Sequence, residues 1–500
     1  MGGMRMRRRI ALLLAAVMLC LSTAALAEGF VMAGYDDAST GRAWESNLFF
    51  ERMAKRTGVQ LTLKQYSDKD EWAKAKQAML QGGEMPDVLF KAEMTVSETQ
   101  ALYEAGKLID LKPYIAAHMP NLAALLAAHP EWEKAITLEN GAIAALPMIN
   151  ELQSNNAMWI NGTWLDTLGL SAPTTAEELT EVLRAFRDKD PNGNGKKDEI
   201  PVTFMGMWDL RYLGHAFGLV ANDYYVYQDE AGQVQSILTK DENRAFLTWL
   251  NQLWQENLLS HQGFTTADSL RIITDKDAKM TYGLMLAPTP LSLVPAAALE
   301  QYDLLMPLVY DGKQIYRDTL GDVTRGTFAV TSACSDPAAV LKWADYLYSE
   351  EGCVLAQAGE EDVDFARNAD GSWYWISAAE EVTAYVMPHV TIADGGMMPG
   401  YVPIDFQLSF EEATTLRVVK QLLALKDTTV APVPMVTLNA ATRARLNEVH
   451  ASLATYAEVA MIRFVTGEVE LTDENWNTFC QTVTDLGLGE VISIWQDAIK

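Results

Sequence analysis

The sequence predicts an α/β fold, because strand-like and helix-like segments alternate along its N-terminal part. Residues 29–34 and 85–90 are short apolar runs, and residues 59–63 alternate apolar and polar side chains as a half-buried strand does. Residues 47–56 and 70–80, which lie between these runs, repeat apolar side chains at helical spacing. This order indicates βαβ units and a sheet that is mainly parallel.

Residues 1–27 are predicted to be an export leader that lies outside the fold. Arginines between positions 5 and 9 precede an apolar run over residues 10–21, and Ala25-Leu26-Ala27 forms a cleavage site of the A-x-A type. Cys20 raises the alternative of a lipid-anchored leader, but Leu19 stands where such a signal wants a small residue. We therefore expect plain export to the periplasm or outer cell surface. No later apolar run is long enough to predict a membrane-spanning segment.

Charge and cysteine content exclude several classes of protein. The chain has 66 acidic and 39 basic residues, a formal net charge of −27, which opposes nucleic-acid binding. The six histidines include no H-x-x-x-H pair, which argues against a zinc site. Outside the leader, Cys334, Cys353 and Cys480 allow at most one disulfide. A chain of 500 residues suggests two or more domains.

Residues 190–199, D-P-N-G-N-G-K-K-D-E, form a candidate calcium loop. Its first six positions match the opening of an EF-hand loop, although Pro201 replaces the usual glutamate at the twelfth position. Calcium takes six to eight oxygen ligands. The predicted donors are the side chains of Asp190, Asn192, Asn194, Asp198 and Glu199 and the carbonyl of Lys196. The shell leaves no open position, so the predicted Ca²⁺ is structural; the alternative is an Asn/Gly turn with a solvated acidic end.

Several segments, taken in order, resemble the extracellular solute-binding proteins of family 1, which are the receptors of carbohydrate ABC importers. These segments are residues 86–88 (PDV), 106–115 (GKLIDLKPYI), 141–147 (GAIAALP), 173–179 (PTTAEEL), 335–352 and 464–467 (FVTG). The loop at 190–199 is similar to that of the family's oligosaccharide- and alginate-binding members. The chain departs from the family pattern at Cys20, which lacks a convincing lipidation motif.

The resemblance implies a two-lobed, type II periplasmic-binding-protein fold in which each lobe is a mixed sheet flanked by helices. Lobe 1 is expected to comprise residues 28–150 and 318–395, and lobe 2 residues 151–317 and 396–500. Crossings between the lobes are expected at residues 150–155, 316–324 and 395–401, which are rich in Gly, Asn, Asp or Thr and suit hinge rotation. Ligand would be held in the cleft between the lobes.

Loop residues near strand ends are the candidate ligand contacts, because loops on a rigid scaffold carry binding groups. Flat aromatic rings suit sugar faces, and the aromatic candidates are Tyr35, Trp208, Trp373 and Trp375. The polar candidates are Asp36, Lys91, Asn150 and Glu151. A neutral or only weakly charged oligosaccharide is expected, because the strongly acidic chain opposes the approach of a polyanion and the aromatic candidates suit sugar faces. Lys91, Arg211 and Arg325 could override this, but none lies in a basic cluster, since Arg211 is near Asp209 and Arg325 near Asp322.

The predicted function is capture of an oligosaccharide and its delivery to the permease subunits of an ABC importer, by a protein expected to be a monomer. The alternative is a secreted glycan hydrolase with its carboxylate pair hidden among many acids. No nucleophile elbow, zinc motif or phosphate loop is present, which favours a binding protein over an enzyme.

Overall fold

A computed structural model describes residues 29–152, 156–275, 278–318, 321–393, 397–410 and 412–499. The predicted leader and parts of the three predicted crossings lie outside these residues. The strands are β1 (Phe30–Tyr35), β2 (Leu61–Tyr66), β3 (Val88–Phe90), β4 (Leu146–Asn150), β5 (Ala157–Asn161), β6 (Ile200–Thr203), β7 (Val226–Gln228), β8 (Val234–Ser236), β9 (Tyr282–Ala287), β10 (Tyr302–Leu304), β11 (Tyr316–Arg317), β12 (Val323–Val330), β13 (Phe365–Arg367), β14 (Trp373–Trp375), β15 (Gly400–Val402) and β16 (Thr429–Val430).

Helices make up much of the remainder. The α-helices of the described residues are Leu48–Thr57, Lys69–Leu80, Val96–Glu104, Lys112–His118, Pro120–Ala128, Pro130–Ile136, Gly162–Leu168, Ala176–Asp188, Gly206–Leu210, Asp241–Gln255, Asp268–Arg271, Pro337–Tyr346, Glu350–Gln357, Ala379–Glu381, Met387–His389, Ile404–Leu408, Ala413–Lys426, Ala440–Thr466, Asp473–Asp485 and Leu488–Ala498. Short 3₁₀ segments include Arg211–Phe217, which directly follows Gly206–Leu210.

The first sheet has six strands in the order β15-β4-β12-β3-β1-β2. Strand β1 pairs in parallel with both β2 and β3, as the alternation of strands and helices predicts. Strand β12 is antiparallel to its neighbours β3 and β4. The predicted α/β class is therefore confirmed, and the first sheet is mixed because of β12.

Local signals explain the first βαβ unit. The side chain of Asn47 accepts a hydrogen bond from the amide of Phe49 and so caps helix Leu48–Thr57. Gly58 ends this helix in the left-handed conformation, with φ of 74°. The helix buries Phe49 and Met53 in an apolar cluster that also contains Phe90 of β3 and Trp343.

The second sheet has four strands in the order β10-β5-β9-β6. Its β6 follows helix Ala176–Asp188, which is capped by the side chain of Thr175. Phe186 of this helix meets Trp164 edge-to-face, with ring centroids 5.1 Å apart, inside a second apolar cluster. The separate clusters under the two sheets agree with a two-lobed architecture.

The pairing of one strand, β15, concerns the predicted boundary between the lobes after residue 395. Strand β15, residues Gly400–Val402, pairs with β4 of the first sheet. The predicted boundaries otherwise stay a prediction. Long helix Ala440–Thr466 packs its C-terminal half into the second apolar cluster and also touches helix Val96–Glu104 beside the first sheet. Within the described part, no helix is both long and apolar enough to cross a membrane.

Candidate functional site

Trp208 is the predicted ligand aromatic that the structure leaves accessible, with 44% of its surface exposed. It stands on helix Gly206–Leu210, a short turn directly after β6. Gly206 permits this turn because its φ is 67°, in the left-handed region. Arg211 lies over the Trp208 ring at 5.8 Å from the centroid, and Tyr212 packs at 5.3 Å. The ring is therefore contacted by two neighbouring side chains and still keeps a large exposed surface.

Buried Asp209 fixes the turn that carries Trp208. Its Oδ2 accepts from the amide of Met205 at 2.7 Å and from Arg271 Nη1 at 2.8 Å. Its Oδ1 accepts from Asn156 Nδ2 at 2.7 Å. Asp209 is therefore committed to the fold and does not pair with Arg211, although the two are close in sequence.

Arg211 instead faces Arg317 and shares a carboxylate with it. Asp223, which is largely exposed, lies 3.5 Å from Arg211 Nη2 and 3.0 Å from Arg317 Nη2. Burial, and then the Arg317 charge, lower the pKa of Arg211. A small cavity of about 20 Å³ lies beside both guanidinium groups and Asn222. Arg317 belongs to the predicted crossing over residues 316–324, but sequence reasoning did not select it, because nothing local marks it as a neighbour of Arg211.

Asp36 and Lys91, both predicted as ligand contacts, are wholly buried in the first lobe. Asp36 Oδ1 lies 3.0 Å from Arg42 Nη1, and its Oδ2 lies 3.2 Å from Lys91 Nζ. Trp44 Nε1 donates to the same carboxylate at 2.8 Å. With no exposed surface, Asp36 and Lys91 offer nothing for a ligand to touch in this structure. Asp36 and Lys91 were predicted as ligand contacts because each directly follows a strand. In the structure, their charges pair with each other instead.

Tyr35 is also buried, with 4% of its surface exposed, although its hydroxyl reaches a more open neighbour. The hydroxyl donates to Asp37 Oδ2 at 2.7 Å. Burial, and then this hydrogen bond, raise the pKa of Tyr35. Tyr35 is thus a wall of the first lobe, and its contact with ligand stays a prediction.

Asn150 and Glu151 tie the first crossing to the segment that follows β15. Asn150 Oδ1 accepts from Gln407 Nε2 at 3.1 Å, and Glu151 Oε2 accepts from the amide of Ile404 at 2.9 Å. Lys426 Nζ donates to the backbone carbonyl of Glu151. These contacts suit a crossing that is held in place, and a direct role in ligand binding stays untested.

Trp373 and Trp375 lie on a hairpin made of β13 and β14. Trp373 is 6% exposed and packs on Phe406 and Phe410, with ring centroids 5.4 and 4.5 Å away. Trp375 is half-buried and meets Trp373 edge-to-face at 5.2 Å. Trp373 is therefore chiefly a core residue of this small hairpin cluster, and a contact of Trp375 with ligand stays a prediction.

The loop over 190–199 folds its polar groups inward. The Asp190 carboxylate accepts from the amides of Asn194 and Gly195 at 3.2 and 3.0 Å. Asn192 and Asn194 donate to Asp198 Oδ1 at 3.2 and 3.0 Å. Glycines at positions 193 and 195 both have positive φ, so the chain can make this turn.

The environment of the Glu199 carboxylate indicates whether the loop over 190–199 suits a cation. Its Oε1 is buried and has no hydrogen-bond partner in the described structure. Burial, and then the charges of Asp198 and Asp190, raise the pKa of Glu199. Among the described residues, no three His, Cys, Asp or Glu side chains are gathered closely enough to form a ready metal centre. The orphaned oxygen beside two further carboxylates nevertheless fits a hard cation with oxygen ligands.

An open groove of about 690 Å³ lies elsewhere, between helix Pro120–Ala128 and the segment that follows β15. Leu125, Tyr348, Cys353 and Phe406 are among its walls. None of the predicted ligand or metal residues lines it. The exposed ring of Trp208 and the charges beside it are therefore the better candidate site.

Comparison with known proteins places the chain in context. The profile of the bacterial extracellular solute-binding protein family matches residues 38–352. The fructooligosaccharide ABC transporter substrate-binding protein FusA of Streptococcus pneumoniae serotype 4 (strain ATCC BAA-334 / TIGR4) is 28% identical over 315 residues, which are 60% of this chain and 57% of FusA. The chain thus matches somewhat more than half the length of this relative.

Solved structures agree on the fold. An extracellular solute-binding protein from Bifidobacterium longum subsp. infantis superposes with a TM-score of 0.81 at 22% identity, covering 96% of this chain and 99% of that one. An EF-hand mutant of S. pneumoniae FusA in complex with fructo-nystose gives a TM-score of 0.76 at 22% identity, covering 94% and 98%.

These findings confirm the predicted two-lobed fold. The family is one of extracellular solute-binding proteins, so the match favours the predicted receptor over the alternative hydrolase. The match to the family profile covers well over half of the chain. The chain therefore belongs to the bacterial extracellular solute-binding protein family.

Proposed function

We propose that the protein is the receptor of an ABC importer, which captures an oligosaccharide between its lobes and delivers it to the permease subunits. The observation that carries the proposal is the accessible Trp208 ring on a braced turn of the second lobe, in a chain of solute-binding fold. Ring stacking against a sugar face buries apolar surface at little cost in side-chain entropy, because Trp has only two rotatable side-chain bonds. The named activity of FusA as an ABC transporter substrate-binding protein supports the importer assignment.

Ligand capture would proceed by hinge closure about the three crossings. We place the third crossing after Val402, because β15 belongs to the first sheet. Parallel pairing of β11 with β16 joins the second crossing to the segment after helix Ala413–Lys426. Ligand that contacts both lobes would shift the population toward the closed form.

Replacing Trp208 with alanine is expected to weaken oligosaccharide binding by about tenfold to a hundredfold, the effect of removing an anchoring aromatic. Titration calorimetry with an oligosaccharide that raises the melting temperature of the purified protein measures this loss. Tyr374→Ala is the matched control, because Tyr374 is 40% exposed on the separate β13–β14 hairpin. Equal affinity of the Trp208 variant and the unaltered protein would remove this residue from the site.

Incubating the protein with the same oligosaccharide also tests the alternative of a secreted glycan hydrolase. A receptor leaves the oligosaccharide intact, whereas a hydrolase creates new reducing ends. We expect no increase in reducing ends at any protein concentration. Saturable binding without cleavage is the expected combination.

We further propose that the loop over 190–199 holds a structural Ca²⁺. Asp190, Asp198 and Glu199 would supply carboxylate oxygens, Asn192 and Asn194 amide oxygens, and Lys196 its backbone carbonyl. Rotating each Asn amide by half a turn would present oxygen in place of nitrogen to the shared centre. The bound ion would cancel the mutual repulsion of the carboxylates and brace the loop between helix Ala176–Asp188 and β6.

Removing calcium is expected to lower the melting temperature by a few degrees. A ligand at a hundred times its dissociation constant stabilises the native state by about 2.7 kcal/mol. The measurement is a thermal melt in EDTA and in excess Ca²⁺. Asp190→Ala should abolish the difference, and Asp188→Ala should retain it, because exposed Asp188 pairs with Arg187 outside the loop. Identical melts of the unaltered protein in both conditions would exclude the site.

The importer role also requires a place outside the cytoplasm. The family is extracellular, and this agrees with the export leader predicted over residues 1–27. We propose that the leader is cleaved after Ala27 and that the protein works as a monomer at the cell surface or in the periplasm. Lipid anchoring through Cys20 remains the disfavoured alternative.

A further inference from the structure

Asp223 presents an exposed carboxylate that two largely buried arginines hold in place. Arg211 Nη2 and Arg317 Nη2 donate to Asp223 Oδ1 at 3.5 and 3.0 Å. The Asp223 side chain is 59% exposed, whereas those of Arg211 and Arg317 are 13% and 4% exposed. Both contacts fall on Oδ1, and within the described part of the chain Oδ2 accepts no hydrogen bond. The carboxylate is therefore fixed at one oxygen and open at the other.

The backbone around Asp223 is fixed by an asparagine turn. Asn222 Oδ1 accepts from the amides of Tyr224 and Val226 at 2.9 and 3.2 Å. Tyr225 is buried and has a φ of 61°, in the left-handed region that a non-glycine residue adopts only where its surroundings require it. The turn and the two arginines together set the position of the carboxylate.

The same arginines join Asp223 to the exposed ring of Trp208. The guanidinium carbon of Arg211 lies 5.8 Å from the centroid of the Trp208 ring. Tyr212 packs on Trp208 with 5.3 Å between centroids, and the Arg317 guanidinium lies 5.1 Å from the centroid of Tyr212. These five side chains form a closed ring of contacts, here called the Asp223 cluster. Its two most exposed members are an indole ring and a carboxylate.

The arginines of the Asp223 cluster are shielded from a sugar. The cavity beside Arg211, Arg317 and Asn222 has a volume of about 20 Å³. A volume of about 10–15 Å³ admits one water, so this space has room for a water molecule and none for a sugar residue. A ligand that stacks on Trp208 therefore finds a carboxylate, and not a guanidinium group, as the chief exposed polar partner in the cluster.

The charge of the Asp223 cluster restricts what it can attract. Arg211 and Arg317 already share the Asp223 carboxylate, so an acidic sugar would meet an anion at the surface of the cluster. An ionised carboxylate is a pure hydrogen-bond acceptor. Asp223 Oδ2 therefore requires a donor, and the hydroxyl groups of a neutral sugar supply one.

We propose that Asp223 is the specificity-determining residue beside Trp208, and that its Oδ2 accepts a hydrogen bond from a hydroxyl of a neutral sugar residue stacked on the Trp208 ring. The inference rests on the proposed oligosaccharide-binding function and names the chemical class of sugar bound at this place. Stacking selects a flat sugar face. The carboxylate selects a sugar with a free hydroxyl at the edge of that face over one with a carboxylate there.

The variant Asp223→Asn tests the proposal, because it keeps the shape of the side chain and removes its charge. Binding of a neutral oligosaccharide should weaken by roughly tenfold, the effect of replacing a charged acceptor by a neutral one. Binding of an acidic oligosaccharide should instead strengthen by about threefold, because Arg211 and Arg317 lose the anion that they share. A side chain that merely balanced the arginines would leave neutral binding unchanged, and one that merely supported the fold would weaken both ligands alike.

Two further measurements separate specificity from folding. The melting temperature of Asp223→Asn should change by no more than about 2 °C, because exposed ion pairs contribute little to stability. Asp223→Glu restores the charge on a longer side chain. It should keep the preference for neutral over acidic sugars even where its affinity falls, and loss of that preference would contradict a role for the charge.

Glu230→Gln is the matched control, because it removes the same charge from an exposed side chain in the turn between β7 and β8. Glu230 is 99% exposed and lies 3.9 Å from Lys313 Nζ. The control should change neither affinity by more than about twofold. It therefore distinguishes a local contact at Asp223 from the effect of the net charge of the chain.

The probes share a framework and differ in charge. A glycan array of neutral and uronic-acid oligosaccharides is followed by titration calorimetry, with a galactose trimer and trigalacturonate of the same linkage as one defined pair. We expect the unaltered protein to bind at least one neutral member roughly tenfold more tightly than its acidic counterpart. The difference should shrink in Asp223→Asn.

The outcomes separate this inference from the proposed function. Equal binding of neutral sugars by the unaltered protein and by Asp223→Asn overturns the role of Asp223 and leaves the receptor function standing. Preference of the unaltered protein for acidic members overturns the class of sugar and likewise leaves that function standing. Absence of saturable binding to every glycan on the array refutes the oligosaccharide function itself, and this inference with it.

Discussion

Replacing Asp36 with alanine is expected to reduce the free energy of unfolding by about 3–5 kcal/mol, the cost of breaking a buried ion pair by removing one partner. Asp36, Arg42 and Lys91 have side chains with 0% exposure. Loss of the one carboxylate would leave two cations without this counterion in a site that water does not reach. Urea unfolding followed by tryptophan fluorescence measures the change.

The loss of the Asp36 carboxylate is expected to affect a segment that is remote from Asp36 in sequence. Arg42 Nε donates to the carbonyl of Thr391 at 2.9 Å, and Lys91 Nζ donates to that of Ile392 at 3.0 Å. The Asp36 cluster therefore attaches the segment that leads into the third predicted crossing. We expect the variant to loosen this segment, with faster amide hydrogen exchange at residues 387–392.

Asp37→Ala is the matched control, because Asp37 is the next residue and is only half-buried, whereas Asp36 is wholly buried. Hydrogen bonds from the Ser39 side chain, then from Tyr35 and then from the amide of Ser39 lower the pKa of Asp37 to about 2. Its replacement should cost clearly less than that of Asp36. Equal losses in the two variants would contradict the assignment of Asp36 as the centre of a buried charge cluster.

Sequence periodicity predicted the first βαβ units but not the place of β12. The predicted strands at 29–34, 59–63 and 85–90 correspond to β1, β2 and β3, since each has its own local pattern of apolar residues. Strand β12 enters the same sheet antiparallel, more than 200 residues after β3 in the chain. Such pairing depends on the packing of remote elements, about which local spacing carries no information.

The sequence predicted the part of the candidate site whose exposure follows from its position in a loop. It did not predict which charged side chains form ion pairs. Trp208 follows β6 closely, and its exposure agrees with its placement in a turn. Arg211 and Arg325 were expected to pair with acids nearby in sequence. The structure gives those acids, Asp209 and Asp322, to Arg271 and Lys426. Ion pairing is decided by distance in space, so the pairing of Arg211 and Arg317 with Asp223 emerges only from the fold.

His215 carries the largest expected pH effect and lies beneath the segment that bears Trp208. The ring is fully buried; its Nδ1 lies 2.5 Å from the carbonyl of Tyr212, and its Nε2 accepts from the amide of Leu308 at 2.8 Å. A neutral ring with the proton on Nδ1 satisfies both contacts. A second proton on Nε2 would break the bond to Leu308 and charge the core. Burial accordingly lowers the pKa of His215 from 6.5 to about 4.

The sign of the effect follows from the two pKa values. In the unfolded chain, His215 takes up a proton below pH 6.5, whereas the folded protein resists protonation down to about pH 4. Stability from this residue is therefore complete above pH 6.5 and declines as the pH falls toward 4. One pKa unit corresponds to about 1.4 kcal/mol. Between pH 7.5 and pH 5 we expect a loss of about 2 kcal/mol from this residue alone.

Urea unfolding at pH 7.5 and at pH 5 tests this expectation by comparing the pH dependence of variants rather than their absolute stability. Carboxylates contribute equally to each protein, so their part cancels in the comparison. His215→Gln removes the titrating ring and should flatten the decline in stability by about 2 kcal/mol. His129→Gln should retain the full decline, because the side chain of His129 is 39% exposed and only stacks on Trp132. The same slope in both variants would show that His215 is protonated as readily in the folded protein as in the unfolded chain, and hence that it does not brace the Trp208 segment as a neutral ring.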